Sequence, residues 1–512
     1  MNHAEQKTED YFQRQIRLVN LEAEAEKDEI LKTLGREGLA SAESSGNSLI
    51  HLTIREQHIG LAGRVLLKFG KRNQNLSLPW SRISIGSPVI LTEEGATKSN
   101  DEINGLRGIV YRMQKDNIEI MFNEWPELGD DHSAFRLDRS TDEISRIRQR
   151  HALENAKTAT NSRLAILRDI LLGKQIPTFH KLAHLHPLDP KLNDSQKQAV
   201  SFALSADDVA IIHGPPGTGK TTTLIELIRQ ITRMNQTVLA VAPSNLAVDN
   251  LLERLISLGE KAIRLGHPAR ISPQLQEYTL DLLAENQPDV LLSHKLMRDA
   301  FTLLAKASKY TRAKPAPGTR QALRQEAREM FKEARKLEEQ GIRNVLEGAR
   351  IVCATATGLD NDFLRGRSFD WCVMDEASQC TEPVAWIPLQ FADRLILAGD
   401  HFQLPPTVLS PDALFEGFNV SLMERLLTDL DPKLARLLTT QYRMHKDIME
   451  FSSQVFYDGS LLADSSVSHA LLNSLPGVVE NELTNCPVHF IDTAGASYDE
   501  EVETNSDSRF NQ

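Results

Sequence analysis

Three short stretches carry residue types that can handle phosphate. The first is "AIIHGPPGTGKTTT", residues 210–223. It fits the spacing GxxxxGK[ST] at Gly214, Gly219, Lys220 and Thr221, after an apolar run and before the amphipathic "LIELIRQI". A glycine-rich turn from Gly214 through Pro215, Pro216, Gly217 and Thr218 to Gly219 lets backbone N–H groups wrap an anion. The helix that follows adds the positive end of its dipole. Lys220 is placed to pair with β and γ phosphates and the Thr221 hydroxyl with Mg²⁺, with Thr222 completing the set. The second stretch is "DWCVMDEAS", residues 370–378. Its apolar run ends in Asp375, a metal carboxylate, and Glu376, a general base for an attacking water. The alternative is that the two acids cap the next helix. The third is "LAGDHFQLPP", residues 397–406. Pro405 and Pro406 stiffen its loop. Gln403, both donor and acceptor, can then sense a γ-phosphate or the attacking water.

These stretches need a scaffold that brings strand ends together. From about residue 186 the order strand, loop, helix, strand predicts a parallel α/β sheet. Ligands bind such sheets beyond the C-terminal strand ends. Helix-rich sequence interrupts the pattern at 273–345. Within it, Lys306 to Lys336 contains 10 Lys or Arg against 3 Glu, which is either a solvated helical surface or a track for phosphates. Upstream, residues 1 to about 45 read as one helix with Phe12, Ile16 and Val19 on one face. A second helix reads from about 141 to 172, through Ile144, Ile147, Leu153, Leu164, Leu167 and Leu171. Paired, the two make an antiparallel stalk. Between them the period changes to that of strands at 63–69, 81–93 and 108–124, the last a hairpin turning at Lys115-Asp116-Asn117. A small β-barrel on the stalk fits this order.

The bulk numbers bound the answer. A chain of 512 residues calls for about three or four domains. With 41% hydrophobic and 25% charged residues it reads as globular and soluble, and no run is apolar enough to span a membrane. The polar start is unlike a secretory signal. Cys353, Cys372, Cys380 and Cys486 lack paired metal spacing, so reduced thiols and a cytoplasmic location are expected, or a nuclear one in a eukaryote. A net charge of −12 argues against binding nucleic acid over the whole surface and leaves a local basic track open.

In this order the three stretches resemble superfamily-1 helicases. Further segments narrow the likeness: "LNDSQKQAV" (192–200) resembles a Q motif, "VLAVAPSNLAVDNLLERL" (238–255) motif Ia, "IVCATATG" (351–358) motif Ic and "QYRMHKDIMEFSSQVFYDGSL" (441–461) motif IIIa. The chain is similar throughout to 5′→3′ superfamily-1B helicases of the Upf1-like group, most closely the Smubp-2-like branch. The resemblance implies an α/β fold with a RecA-like core. Its parts would be a stalk helix (1–45), a 1B-like barrel (46–138), a second stalk helix and linker (139–185), the first RecA-like domain (186–272 and 346–428), a 1C-like helical insertion (273–345) and the start of a second RecA-like domain (429–512). It implies ATP and Mg²⁺ as cofactors. Gln196 would read the adenine edge, Tyr442 stack on it and Arg443 neutralise the γ-phosphate. Ser244, Asn245, Thr355 and Thr357 would touch a single-stranded DNA or RNA backbone. The resemblance also makes the basic 306–336 surface a candidate track. A monomer is expected.

The segments that would carry motifs IV, V and VI are not in these 512 residues, and only about 85 residues follow position 429. The sequence therefore supports an ATP-driven translocase, or a fragment that binds ATP and single strands but unwinds poorly. An ATP-gated single-strand clamp is the competing reading, and a P-loop protein unrelated to nucleic acid fits less well.

Overall fold

The computed structural model describes residues 3–35, 43, 46–59, 65–73, 76–94, 105–122, 133–140, 143–181, 185–266, 268–308, 318–359, 364, 366–429, 432–496, 500–502 and 509–510. The chain divides into two compact units. One comprises Met1–His213 and Lys220–Arg436, the other Gly214–Gly219 and Leu437–Gln512.

The first unit opens with helix α1 (His3–Gly35). Phe12, Leu18 and Val19 on one face are almost wholly buried. They share a core with Ala152, Leu153 and Ala156 of α2 (Glu143–Thr158) and Leu167, Ile170 and Leu171 of α3 (Arg163–Leu171). Glu9 pairs with Lys157 at 3.2 Å, and Glu26 pairs with Arg146. Numbers rise along α1 as they fall along α2, so the stalk is antiparallel, as expected.

Two features of the stalk depart from expectation. The second helix is broken between Thr158 and Arg163, because Asn161 takes φ +49° and Ser162 caps α3 by accepting from the Ala165 N–H at 3.3 Å. Ile144 and Ile147 are 42% and 52% exposed, outside the core their spacing suggested. Helix α1 is described as far as Gly35, and residues 36–42 and 44–45 of the expected helix lie outside the described residues.

The barrel is closed, in strand order β1-β2-β5-β4-β3-β6. Its strands are β1 (Ser48–Ile59), β2 (Val65–Lys71), β3 (Pro88–Glu93), β4 (Leu106–Met113), β5 (Asn117–Phe122) and β6 (Phe135–Arg139). Closure leaves no sheet edge to protect. Leu52, Leu67, Phe69, Val110, Ile118, Ile120 and Leu137 fill the interior, each 0% exposed. The inner strands follow the alternation in sequence. Strands β1 and β6 were not expected, the 81–93 segment becomes a strand only from Pro88, and Asn117 belongs to β5 and not to the turn.

The core sheet runs β13-β7-β12-β11-β8-β10-β9. Its strands are β7 (Val209–His213), β8 (Val238–Ala242), β9 (Ala262–Arg264), β10 (Ile351–Thr355), β11 (Trp371–Met374), β12 (Leu395–Gly399) and β13 (Ala435–Leu437). The pairs from β7 through β9 are all parallel. Strands β7, β8, β11 and β12 are buried along their whole length, which is why they read as unbroken apolar runs. Helices α4 (Asp194–Ser205), α5 (Lys220–Arg233), α6 (Asn245–Ser257) and α9 (Glu382–Leu389) belong to this layer. Between β9 and β10 lies the helical insertion, with α7 (Pro288–Ser308) and α8 (Thr319–Glu347), as expected.

The second unit begins at Leu437 and not at residue 429. The reason is that α10 (Leu422–Asp429) is packed by Leu422, Met423 and Leu426 into the core of the first unit, and β13 extends the large sheet. Among its described residues the second unit holds the parallel pair β14 (Thr440–Gln441) and β15 (Leu462–Ala463) and helix α11 (Lys446–Phe456) around Met449, Tyr457 and Leu461.

Candidate active site

Register brings the chemical residues of the first unit to one edge of the sheet. Gly399 on β12 pairs with His213 on β7, and Met374 on β11 pairs with Leu397 on β12. Asp375, Asp400 and the His213 end of β7 therefore all lie at strand ends on the same side, where ligands of parallel sheets bind.

Lys220 opens α5. Its Nζ lies 2.8 Å from Glu376 Oε1 and 4.0 Å from Asp375 Oδ1. Asp375 is 3% exposed. Burial raises its pKa from 3.8 to about 6, against the pull of Lys220 and with a push from Glu376. Asp375 Oδ1 accepts the Glu376 N–H at 2.9 Å. Glu376 takes φ +52°, a left-handed conformation that costs a residue with a side chain about 1 kcal/mol or more. Its carboxylate makes no capping bond to the short helical turn at Ala377–Gln379, which disposes of the capping alternative. The twist turns the side chain toward Lys220.

Gln403 is exposed, and its Nε2 donates to Asp400 Oδ2 at 2.8 Å. Asp400 also accepts the Phe402 N–H at 3.2 Å and lies 2.9 Å from His213 Nε2. Its own N–H donates to Ser378 Oγ at 3.3 Å. Asp400 thus ties together the strand before the glycine loop, the segment after Glu376 and the Gln403 loop. The rings of His213 and His401 lie 4.9 Å apart. Burial lowers the His401 pKa, and His213 lowers it further. Asp400, His213 and His401 were missed in the sequence reading, although "GDH" was in view.

In the second unit, Gly217 and Gly219 take φ +75° and +77°. A β-carbon on Gly217 would meet Arg443 Cβ at 2.5 Å, so this glycine is required twice over. The Gly217 carbonyl accepts the Tyr442 N–H at 2.8 Å, and Thr218 Oγ1 closes the loop onto the Pro215 carbonyl at 2.7 Å. The Tyr442-Arg443 turn is shaped by buried Gln441, whose Oε1 accepts the N–H groups of Arg443 and Met444 at 2.8 and 2.9 Å. Both Tyr442 and Arg443 present exposed side chains. Gln441 was also missed.

The remaining candidates have structural duties. Gln196 is 5% exposed and forms a capping box with Asn193 at the start of α4. Thr222 Oγ1 accepts from Arg254 Nη1 at 3.3 Å. Ser244 caps α6 through the Ala247 N–H at 3.2 Å. The Asn245 side-chain Oδ1 accepts from Arg264 Nη2 at 2.8 Å, and Arg264 is fully buried against Asp249. The Thr357 carbonyl accepts from Arg148 at 2.8 Å, and Thr355 ends β10. Thr221 follows Lys220 in the first turn of α5.

A glycine loop between a buried strand and a helix, with paired acids on a nearby strand end, defines a P-loop nucleotide-binding domain. Family models agree. An AAA domain matches residues 191–411, a second AAA domain matches 418–512, and the helicase SMUBP-2/HCS1 1B domain matches 12–140, most of the first stalk helix and the barrel. DNA polymerase alpha-associated DNA helicase A of Schizosaccharomyces pombe is 31% identical over 98% of this chain and 77% of its own length. An uncharacterized ATP-dependent helicase of Methanocaldococcus jannaschii is 31% identical over 95% of this chain and 76% of its own length. DNA-binding protein SMUBP-2 of Mus musculus is 36% identical over 98% of this chain and 51% of its own length. This chain belongs to the SMUBP-2/HCS1 helicase family, within the Upf1-like superfamily-1B group. It spans about half the length of the SMUBP-2 proteins it matches.

The four cysteines are unpaired, with Cys353, Cys372 and Cys380 buried and Cys486 exposed. Burial pushes the Cys353 and Cys380 thiols up to about 12, so they stay protonated. Among the described residues, no helix is long and apolar enough to cross a membrane.

Proposed function

We propose that this chain is an ATP-hydrolysing motor that moves 5′→3′ on single-stranded nucleic acid and couples turnover to strand separation. The observation that carries the ATPase half is Lys220 Nζ lying 2.8 Å from Glu376 and 4.0 Å from Asp375. An ammonium held beside two carboxylates at a strand end brings together the charges that a triphosphate and its metal require.

The residues fit ATP·Mg²⁺. Asp375 is a carboxylate 3% exposed at a strand end, 4.0 Å from Lys220, and is a donor suited to a divalent cation. Asp375 and Thr221 would hold Mg²⁺, which supplies charge neutralisation on the β and γ phosphates when bound. The backbone N–H groups of Gly214, Gly217, Thr218 and Gly219 would face the phosphates, with Pro215 and Pro216 shaping the turn and Thr222 beside it. Lys220 exchanges its carboxylate partners for phosphate oxygens. Glu376, released from Lys220, takes the proton of the attacking water. Gln403 leaves Asp400 to orient that water. Tyr442 stacks on adenine, Gln196 contacts its edge, and Arg443 neutralises charge developing on the γ-phosphate.

Single strands find chemistry on the helical insertion. Arg320, Arg324, Arg328, Lys332 and Lys336 recur every fourth residue along α8, and all are exposed. Such a stripe is suited to backbone phosphates and blind to base sequence. Residues 309–317 of the basic run lie outside the described residues. Ser244, Asn245, Thr355 and Thr357 are proposed as further backbone contacts through amides, hydroxyls and main-chain groups. DNA is favoured over RNA because the mammalian and yeast relatives are named as DNA-binding proteins and DNA helicases. Reduced thiols are in keeping with four free cysteines, three of them buried, and a monomer working in the cytoplasm or nucleus is proposed with them.

Polarity is tested with partial duplexes carrying a 5′ or a 3′ single-stranded overhang. The expected result is ATP-dependent strand release from the 5′-tailed duplex alone. Release from the 3′-tailed duplex overturns the polarity. ATP-dependent retention of single strands without release from either duplex favours the ATP-gated clamp.

A further inference from the structure

Among the described residues, one group of His, Cys, Asp or Glu side chains converges as metal ligands do, and the proposed mechanism uses only part of it. It comprises His213, Asp400 and His401. One ligand atom from each lies within 4.8 Å of the others. The chain reaches this point from two sides. His213 is the last residue of β7, paired in register with Gly399, and Asp400 and His401 follow directly. Asp400 is 1% exposed and His213 9%. The half-buried His401 has its Nδ1 enclosed by protein with no hydrogen-bond partner. A buried imidazole nitrogen left without a partner is destabilising, and a bound cation removes that cost.

We propose that His213, Asp400 and His401 form a site for a zinc-type transition-metal ion, distinct from the Mg²⁺ position at Asp375, and that the ion competes with Gln403 for the Asp400 carboxylate. Two imidazoles and one carboxylate are a ligand set for Zn²⁺, whereas Mg²⁺ prefers oxygen ligands and water. Three protein ligands with one face half open leave a fourth position for water. His213 Nε2 and Asp400 Oδ1, at 2.9 Å, are already closer than the edge of about 3.3 Å that Zn–ligand bonds of about 2.0–2.1 Å require. With all three ligand atoms within 4.8 Å of one another, the longest separation has at most about 1.5 Å to close, and the half-buried His401 ring is the part with room to turn.

The consequence follows from the bonds that Asp400 makes. Gln403 Nε2 is held by Asp400 Oδ2 at 2.8 Å. A cation on that carboxylate weakens the bond and fixes the loop between His401 and Gln403. This second half rests on the proposed role of Gln403, whereas ion binding itself does not.

The experiment is Zn²⁺ titration of the full chain without nucleotide, in millimolar Mg²⁺, against a chromophoric chelator. The variants are His401→Ala and the volume-conserving His401→Gln. We expect one tight equivalent per chain, with affinity lowered by about tenfold or more in both variants. ATP turnover in the same Mg²⁺ should fall as the site fills in the unsubstituted chain and stay unchanged by Zn²⁺ in the variants. No stoichiometric binding, or equal binding in both variants, overturns the site. Tight binding that leaves turnover unchanged retains the site and overturns the competition with Gln403. A chain that binds Zn²⁺ but hydrolyses no ATP retains the site and counts against the proposed ATPase.

Discussion

Glu376→Gln is expected to lower ATP turnover by about 10²- to 10⁴-fold, the range for loss of a positioned general base. Nucleotide affinity should stay within a few-fold. The argument is geometric. Glu376 is held at φ +52° with its carboxylate 2.8 Å from Lys220. A backbone strained in this way persists where surrounding structure enforces it, often at a reactive centre. Glutamine fills the same volume and can keep the contact with Lys220, but it cannot accept a proton from water. Single-turnover hydrolysis and nucleotide binding, measured together, separate the two effects. Equal losses in binding and turnover would show that Glu376 positions Lys220 and is not the base.

The second large effect concerns stability. Arg425→Ala is expected to destabilise the first unit by about 3–5 kcal/mol, the cost of breaking a buried ion pair from one side. Arg425 on α10 donates through Nε to both Glu382 oxygens, at 2.9 and 3.2 Å, and through Nη1 to the Leu171 carbonyl at 3.0 Å. Glu382 is 4% exposed and also accepts from the Tyr11 hydroxyl at 2.5 Å. Burial opposes the charge on Arg425, but Glu382 outweighs it and raises the pKa of Arg425 above its ordinary value. Removing the guanidinium leaves a carboxylate buried among α1, α3 and α9. Chemical denaturation reads the loss. A paired Arg425→Met, Glu382→Leu variant should recover much of it, because no lone charge then remains. A loss below about 1 kcal/mol for Arg425→Ala would mean that water screens the network as it does a surface pair.

What the sequence revealed and concealed follows from range. The glycine loop, Asp375-Glu376 and the inner barrel strands are signalled by neighbours in the chain, and the structure has them in place. The break between α2 and α3 was also local. "ATNS" (159–162) carries turn and capping residues, but helical spacing on both sides masked it. Strand β1 escaped because its pattern is irregular. His51 takes φ +56°, and the register shifts between Ile54 and Glu56. Strand β6, "FRLDR", is short and charged, and only barrel closure makes it a strand.

The least legible features are buried polar contacts between distant residues. Tyr11 and Glu382 lie 371 positions apart, and His213 and Asp400 lie 187 apart. Nothing local in "EDYFQRQ" announces a tyrosine that bonds a buried glutamate. Asn245 shows the same limit in the opposite direction. Its motif suggests a phosphate contact, while the structure shows its carbonyl already bonded to Arg264. A phosphate contact from Asn245 would then use its amide nitrogen or its backbone.

The most direct test of the whole account is steady-state ATP hydrolysis by this chain as single-stranded DNA is added, beside Lys220→Ala. The account predicts turnover that rises with the strand, saturates, and is lost in Lys220→Ala while DNA binding persists. Turnover indifferent to single strands, or retained without Lys220, would contradict it.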